Sequence, residues 1–270
     1  MLAKLRSLFS SQKGEPDTPV SVVPAGQRVY AIGDIHGRLD LFEQLLDLIA
    51  ADDEQRPPAE TWLVLLGDLV DRGADSCGVV ERALQLMTTG KVRVLAGNHE
   101  EMLLGSLENP ETLRHFLRHG GKETLFSYGL TFDEYSQSTL EALSERIHEL
   151  IPARHIAFMR AMENQILFGD YLFVHAGIRP GVALEDQTIA DMRWIRREFL
   201  DHDAAHSHVV VHGHSITDEP EIRGNRIGID TGAFASGRLT ALGLDGGERW
   251  FLTAMLAPQE RDAGISDVKT

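Results

Sequence analysis

Four short segments of this chain set metal-binding or proton-transferring side chains beside glycine. They are Gly33-Asp34-Ile35-His36-Gly37, Gly67-Asp68-Leu69-Val70-Asp71-Arg72-Gly73, Gly97-Asn98-His99-Glu100 and Val211-His212-Gly213-His214-Ser215. Asp34 and His36 stand two apart, so an extended backbone turns both to one side. A carboxylate with an imidazole suits Mn, Fe or Zn better than Ca. The carboxylate of Asp68 could bridge two ions, and the planar fork of Arg72 matches two phosphoryl oxygens. Asp71 lies where it could orient a catalytic imidazole. The Asn98 amide oxygen is an acceptable ligand for a hard metal, and the neighbouring His99 can serve as general acid. Read together, the segments describe a two-metal site that hydrolyses phosphate esters.

Each segment also has a plainer reading. Asp34 could cap a helix, Asp71 and Arg72 could pair at a helix start, and Gly97-Asn98 could form a turn. The repetition decides between them, because every segment terminates a β-rich apolar run. Arg28–Ile32 runs into Gly33, Trp62–Leu66 into Gly67, Val92–Leu95 into Ala96-Gly97, and Val209–Val211 into His212. Tyr171–Val174 likewise ends at His175-Ala176-Gly177. Between the first three runs, Leu39, Phe42, Leu45, Leu46 and Ile49 recur at helical spacing, and residues 76–87 form a second helical stretch. The order β-α-β-α-β predicts parallel strands with right-handed crossovers and a ligand site outside their carboxyl ends. Residues 100–160 are expected to form a helical insertion, after which strands resume at 165–168, 171–174, 209–211, 226–229, 239–242 and 250–252. The expected class is α/β, a β-sandwich flanked by helices.

His212 is read as a packed or supporting histidine rather than a ligand. His115, His119, His148, His155, His202, His206 and His208 lie on polar stretches and are read mostly as surface histidines.

Composition bounds the rest. A chain of 270 residues with 43% hydrophobic and 25% charged residues is ordinary for a globular domain. A net charge of −15 argues against a nucleic-acid partner, since phosphate backbones call for a basic footprint. It leaves room for a phosphorylated substrate, because bound divalent ions and a few arginines make one pocket locally positive. With Cys77 alone, no intrachain disulfide can form, which fits a cytoplasmic location. No apolar run approaches the ~20 residues of a membrane span. Residues 1–27 are expected to be a flexible arm, 28–256 the catalytic domain and 257–270 a flexible tail. Leu2, Leu5, Leu8 and Phe9 in that arm recur at helical spacing.

The segments GDIHG, GDLVDRG, GNHE, HAG and HGHS, in this order and spacing, resemble the phosphoprotein phosphatase branch of the calcineurin-like metallophosphoesterases. The nearest likeness is to small bacterial and phage serine/threonine phosphatases such as that of phage lambda. His119-Gly-Gly-Lys-Glu-Thr124 resembles an Asn-Gly-Gly segment of those enzymes. Trp194-Ile-Arg196 resembles a segment supplying a phosphate-binding arginine, and Ile229-Asp-Thr-Gly-Ala233 resembles their late strand. The likeness spans roughly residues 28–255. It implies Asp34, His36 and Asp68 on a first metal, and Asp68, Asn98, His175 and His214 on a second. It further implies His99 as general acid paired with Asp71, and Arg72, Arg196 and Asn98 on the substrate phosphate. Arg193 and Arg197 flank Arg196 and compete for that assignment. Ile216 stands where the wider superfamily has a second histidine, which leaves the first metal to complete its shell with water.

The expected activity is hydrolysis of phosphomonoesters by a metal-bridging hydroxide, with two divalent ions, Mn first and Fe or Zn as options. The expected substrate is a phosphoserine or phosphothreonine protein or a small phosphoester. Symmetrical bis(5'-nucleosyl)-tetraphosphate hydrolysis is the alternative enzyme, and Glu100 is the residue that favours the protein phosphatase over it. A catalytically silent binding module is the alternative of another class. The full complement of ligand residues argues against it.

Overall fold

The computed structural model describes residues 21–256; most of the N-terminal arm and all of the expected tail lie outside the described residues. The strands are β1 (Gln27–Ile32), β2 (Glu60–Leu65), β3 (Val92–Val94), β4 (Gln165–Phe168), β5 (Tyr171–Val174), β6 (Val209–His212), β7 (Glu221–Ile222), β8 (Arg226–Gly228), β9 (Arg238–Asp245) and β10 (Glu248–Met255). One sheet has the order β10-β9-β1-β2-β3 and the other β4-β5-β6-β8-β7. Parallel pairing joins β1 to β2 and β2 to β3 in the first sheet, and β5 to β6 and β6 to β8 in the second. The antiparallel strands β9, β10, β4 and β7 lie outside these parallel cores.

Side-chain alternation explains the layering. Along β1, Val29 and Ala31 enter the core between the sheets, while Tyr30 and Ile32 enter the core under the helices. The same alternation sends Tyr171 and Phe173 inward and Leu172 and Val174 toward the helices of the second sheet. Burial on both faces is why these strands read as continuous apolar runs. Helices α1 (Leu39–Gln55), α2 (Ser76–Met87) and α3 (Asn98–Ser106) cross between strands of the first sheet or leave it. Further helices follow from Pro110 to Arg160, including Lys122–Ser127 and Ala153–Arg160. Ile189–Trp194 and Arg197–Leu200 cover the second sheet, where Met192, Ile195 and Phe199 pack on Leu172 and Val210. The fold is a two-sheet α/β sandwich flanked by helices on both outer faces.

The short strand β7 had no sequence signal, because a two-residue strand is too brief for its alternation to be seen. One expected surface histidine is misplaced. His155 is 1% exposed, held between the Tyr128 hydroxyl at 2.8 Å and a Glu81 carboxylate oxygen at 2.9 Å. Its partners Tyr128 and Glu81 lie far from it in sequence, so nothing local marked its inward position on the helix.

Candidate active site

All five glycine-flanked segments meet at the carboxyl edge of the two sheets. Asp34 and His36 follow β1, Asp68, Asp71 and Arg72 follow β2, and Asn98 and His99 open α3 just after β3. His175 follows β5, and His214 follows β6, so the first sheet contributes the carboxylates and the second adds imidazoles. Asp34, His36, Asp68, Asp71, Asn98, His99, His175 and His214 are each at most 7% exposed.

The backbone bends sharply to bring them there. His36, Asp68, Asp71, Arg72 and His214 are the non-glycine residues with left-handed φ among the described residues, and all five belong to the site. Such a conformation costs an L-residue about 1 kcal/mol or more, so the surroundings must hold it in place. Two glycines are fixed by closeness instead. A Cβ at Gly97 would lie 2.1 Å from Asp68 Oδ1, and one at Gly213 would lie 2.1 Å from Asp34 Oδ1.

Two of the imidazoles are oriented by a carbonyl on the outer nitrogen. His36 Nδ1 donates to the Val70 carbonyl at 2.8 Å and His175 Nδ1 to the Leu66 carbonyl at 2.8 Å. Both Nε2 atoms are therefore left as inward-facing acceptors, the arrangement found at metal-binding histidines. His36 Nε2 lies 3.5 Å and His175 Nε2 3.4 Å from Asp68 Oδ2, with Asn98 Oδ1 3.0 Å from His175 Nε2. Two groups can hold an ion, their ligand atoms lying within 4.8 Å of one another: His36, Asp68 and His99, and Asp68, His175 and His214. Asp68 is common to both.

Asp34 stands outside these two groups. Its Oδ2 accepts from the His214 backbone N–H at 3.0 Å, while its Oδ1 is buried and has no partner. His214 Nε2 is also buried without a partner. Buried polar atoms are normally satisfied, so these two orphans, beside converging imidazoles and carboxylates, fit a divalent metal centre.

The electrostatics keep two of the imidazoles neutral, whereas His175 is raised because the Asp68 carboxylate beside it outweighs its burial. Burial holds His36 down to about 3 and, with help from His175, His214 down to about 3. Burial would push Asp68 upward, but His175, His99 and His36 outweigh it and hold the carboxylate ionised. Asp34 is raised by burial and by the charges of Asp230 and Asp68.

His99 differs from the other three in having a carboxylate on its outer nitrogen. Its Nδ1 donates to Asp71 Oδ2 at 2.6 Å. Burial lowers its basicity, yet the Asp68 charge and the Asp71 hydrogen bond more than compensate and leave its pKa raised. Asp71 does not pair with Arg72. The Arg72 guanidinium instead donates to His36 Nε2 at 2.8 Å and His99 Nε2 at 2.9 Å. Arg193 donates to Glu101 and Asn164, whereas the exposed Arg196 bears electrostatically on His214. His212 Nδ1 meets the Gly213 carbonyl at 3.0 Å and its ring packs on Phe199, so it belongs to neither metal-holding group.

Several supporting residues escaped the sequence reading. Thr124 Oγ1 donates to Asp71 Oδ1 at 2.6 Å, and both Thr124 and Ser76 hydroxyls meet the Asp71 backbone N–H. Glu100 is fully buried and accepts four backbone N–H groups, from Gly97, Asp68, Leu69 and Val70. It staples the β2 loop to the α3 N-terminus. Asp230, also buried, accepts from the Gly232 N–H. The segments 119–124 and 229–233 carried a signal of resemblance, but nothing local indicated which side chain would face the site.

Comparison with known proteins supports this picture. The family model for calcineurin-like phosphoesterases matches residues 27–235. The asymmetrical bis(5'-nucleosyl)-tetraphosphatase PrpE of Anoxybacillus flavithermus is 29% identical over 234 residues, 78% of this chain and 88% of the relative. Its Bacillus anthracis counterpart is 29% identical over 232 residues, with the same coverage. A crystal structure provisionally described as a diadenosine tetraphosphatase shares the fold at TM-score 0.59 and 21% identity, covering 88% of this chain and all of that one. A cold-active protein-tyrosine phosphatase of a psychrophilic Shewanella does so at TM-score 0.51 and 19% identity, covering 86% of this chain and 84% of that one. With its family model spanning most of the domain and its strand-end residues gathered around one point, this chain belongs to the calcineurin-like phosphoesterases, enzymes that use divalent metals.

Proposed function

We propose that this chain hydrolyses phosphomonoesters with two divalent ions, Mn first, held by Asp34, His36 and Asp68 on one side and Asp68, Asn98, His175 and His214 on the other. The observation that carries this reading is the Asp68 carboxylate shared between two groups of inward-facing ligand atoms. The partnerless buried Oδ1 of Asp34 supports its place on the first ion, and His99, a member of the first group, is assigned to proton transfer because Asp71 holds its Nδ1. Bound there, the ions supply Lewis-acid neutralisation of the phosphoryl oxygens and an activated water. The chain's own residues do the rest. Arg72, Arg196 and Asn98 hold and orient the phosphoryl group. Asp71 fixes the His99 ring through Nδ1; once Arg72 leaves His99 Nε2 for the phosphoryl group, that nitrogen is free to carry the proton that His99 gives to the departing alkoxide. Thr124 and Ser76 keep Asp71 in register.

Phosphoserine and phosphothreonine proteins are the first substrate reading, and it leaned on Glu100. That carboxylate faces backbone N–H groups and not the open side of the site, so it supports the loops and says little of the leaving group. The names of the curated relatives favour a dinucleoside tetraphosphate substrate, but with asymmetrical cleavage and not the symmetrical cleavage of the alternative reading. The test is a substrate panel with Mn²⁺ added: p-nitrophenyl phosphate, a phosphoserine peptide and diadenosine tetraphosphate. Hydrolysis lost in Asp68→Asn and His99→Asn is the expected outcome; wild-type rates in either variant would overturn the mechanism.

A further inference from the structure

The rim of the site carries an aromatic side chain on each side. Phe234 lies against the His36 ring, centroids 5.4 Å apart, and Trp194 lies toward the His214 ring at 6.5 Å. Phe234 has one face covered by the Arg72 guanidinium, 4.6 Å from the ring centroid. Trp194 is 36% exposed. It is nevertheless anchored. Its Nε1 donates to Glu101 Oε1 at 3.2 Å, and Glu101 also receives Arg193 at 3.0 Å. Glu101 belongs to α3, the helix that opens with Asn98 and His99, so the indole is tied to the helix that begins at the metal-holding groups. On the Phe234 side, Ile216 is 52% exposed and packs over Gly232.

A single exposed aromatic is unremarkable on a protein surface. An anchored indole beside a phosphate-handling centre is different, because substrate binding would bury its face without any cost of ordering it. We propose that Trp194 is a stacking platform for a planar aromatic group joined to the scissile phosphate, whether a tyrosyl ring or a nucleoside base. The assignment rests on the two-metal reading and narrows its substrate to phosphate esters or anhydrides that carry an aromatic group. Phe234 is a positioning residue that holds Arg72, and Ile216 extends the apolar rim.

Two substrate pairs test this, one member of each carrying the aromatic group: phosphotyrosine against phosphoserine in one peptide, and diadenosine tetraphosphate against inorganic tetraphosphate. In Trp194→Ala the ratio of kcat/KM within the responsive pair should fall roughly tenfold, the scale of one lost stacking contact. Trp194→Phe, which keeps a ring but loses the Glu101 bond, should recover most of it. A fall confined to the peptide pair names the tyrosyl ring, and one confined to the nucleotide pair names the base. Equal losses on both members of each pair, or unchanged ratios, would overturn the platform and leave Trp194 as a structural tie. Binding gives a readout that does not need turnover. Phenylphosphonate should quench indole fluorescence in the wild type at lower concentration than methylphosphonate, and loss of the quenching in Trp194→Phe should identify Trp194 as the reporter; equal quenching of the wild type by the two overturns the platform. Failure of the wild type to hydrolyse p-nitrophenyl phosphate with Mn²⁺ would instead sink the two-metal reading, while the phosphonate comparison still judges Trp194.

Discussion

The floor of the site and its rim are built by opposite means. On the floor, the expected ligands are buried, and His36, Asp68, Asp71, Arg72 and His214 occupy left-handed backbone conformations. Carbonyls hold the outer nitrogens of His36 and His175, the Thr124 hydroxyl holds Asp71, and the Glu100 staple holds the β2 loop. On the rim, Trp194 and Ile216 are partly open, and Arg196 is exposed. Charge developing in a transition state is best met by groups already in position, so the floor must be rigid. Selection among substrates requires only that an open surface fit one leaving group better than another. The reaction is therefore a property of the floor, and the choice of substrate a property of the rim.

If that division holds, substitutions should separate in size and kind. The largest effects belong to the floor. His99→Asn should lower kcat by about 10²–10⁴-fold, the usual contribution of general acid catalysis, with metal binding retained by calorimetry. Asp68→Asn should lose both activity and metal, since both ligand groups share that carboxylate.

Next come the supports that touch no substrate. Glu100→Gln halves the acceptor strength facing four N–H donors, and metal affinity should fall roughly 10–100-fold, as when outer partners of a metal site are removed. Retained affinity in that variant would mean the loops are held by the strands alone. Thr124→Val should act on kcat more than on KM, because Thr124 reaches the reaction only through Asp71 and His99.

The rim should give smaller effects. Arg196→Ala should raise KM on p-nitrophenyl phosphate several-fold more than Arg193→Ala, whose guanidinium is already engaged by Glu101 and Asn164. The reverse order would reassign the phosphate contact. Ile216→Ser should change unfolding free energy by no more than about 0.5 kcal/mol by thermal denaturation, as exposed substitutions do.

What was legible beforehand followed from local patterning. The runs Arg28–Ile32, Trp62–Leu66 and Tyr171–Val174 show continuous hydrophobicity because both faces of the sheets are covered, and their glycine-flanked ends carry the polar residues. Asp34, His36, Asp68, Asn98, His99, His175 and His214 could be picked from such ends without coordinates. His155 could not be placed, because a buried polar residue is made tolerable by partners distant in sequence, here Tyr128 and Glu81.

By itself, then, the sequence determined the fold class, the family and the chemistry available at the strand ends, since each depends on residue type and short spacing. Tertiary structure alone decided that Asp71 serves His99 instead of pairing with Arg72, that Arg193 is engaged while Arg196 is not held by those partners, and that Glu100 turns to the backbone. It also brought Trp194 to the mouth of the site beside His214. Those outcomes depend on which of several possible partners lies within hydrogen-bond or ring-packing reach, and that distance is set only when separate loops, up to 180 residues apart for Asp34 and His214, are brought together.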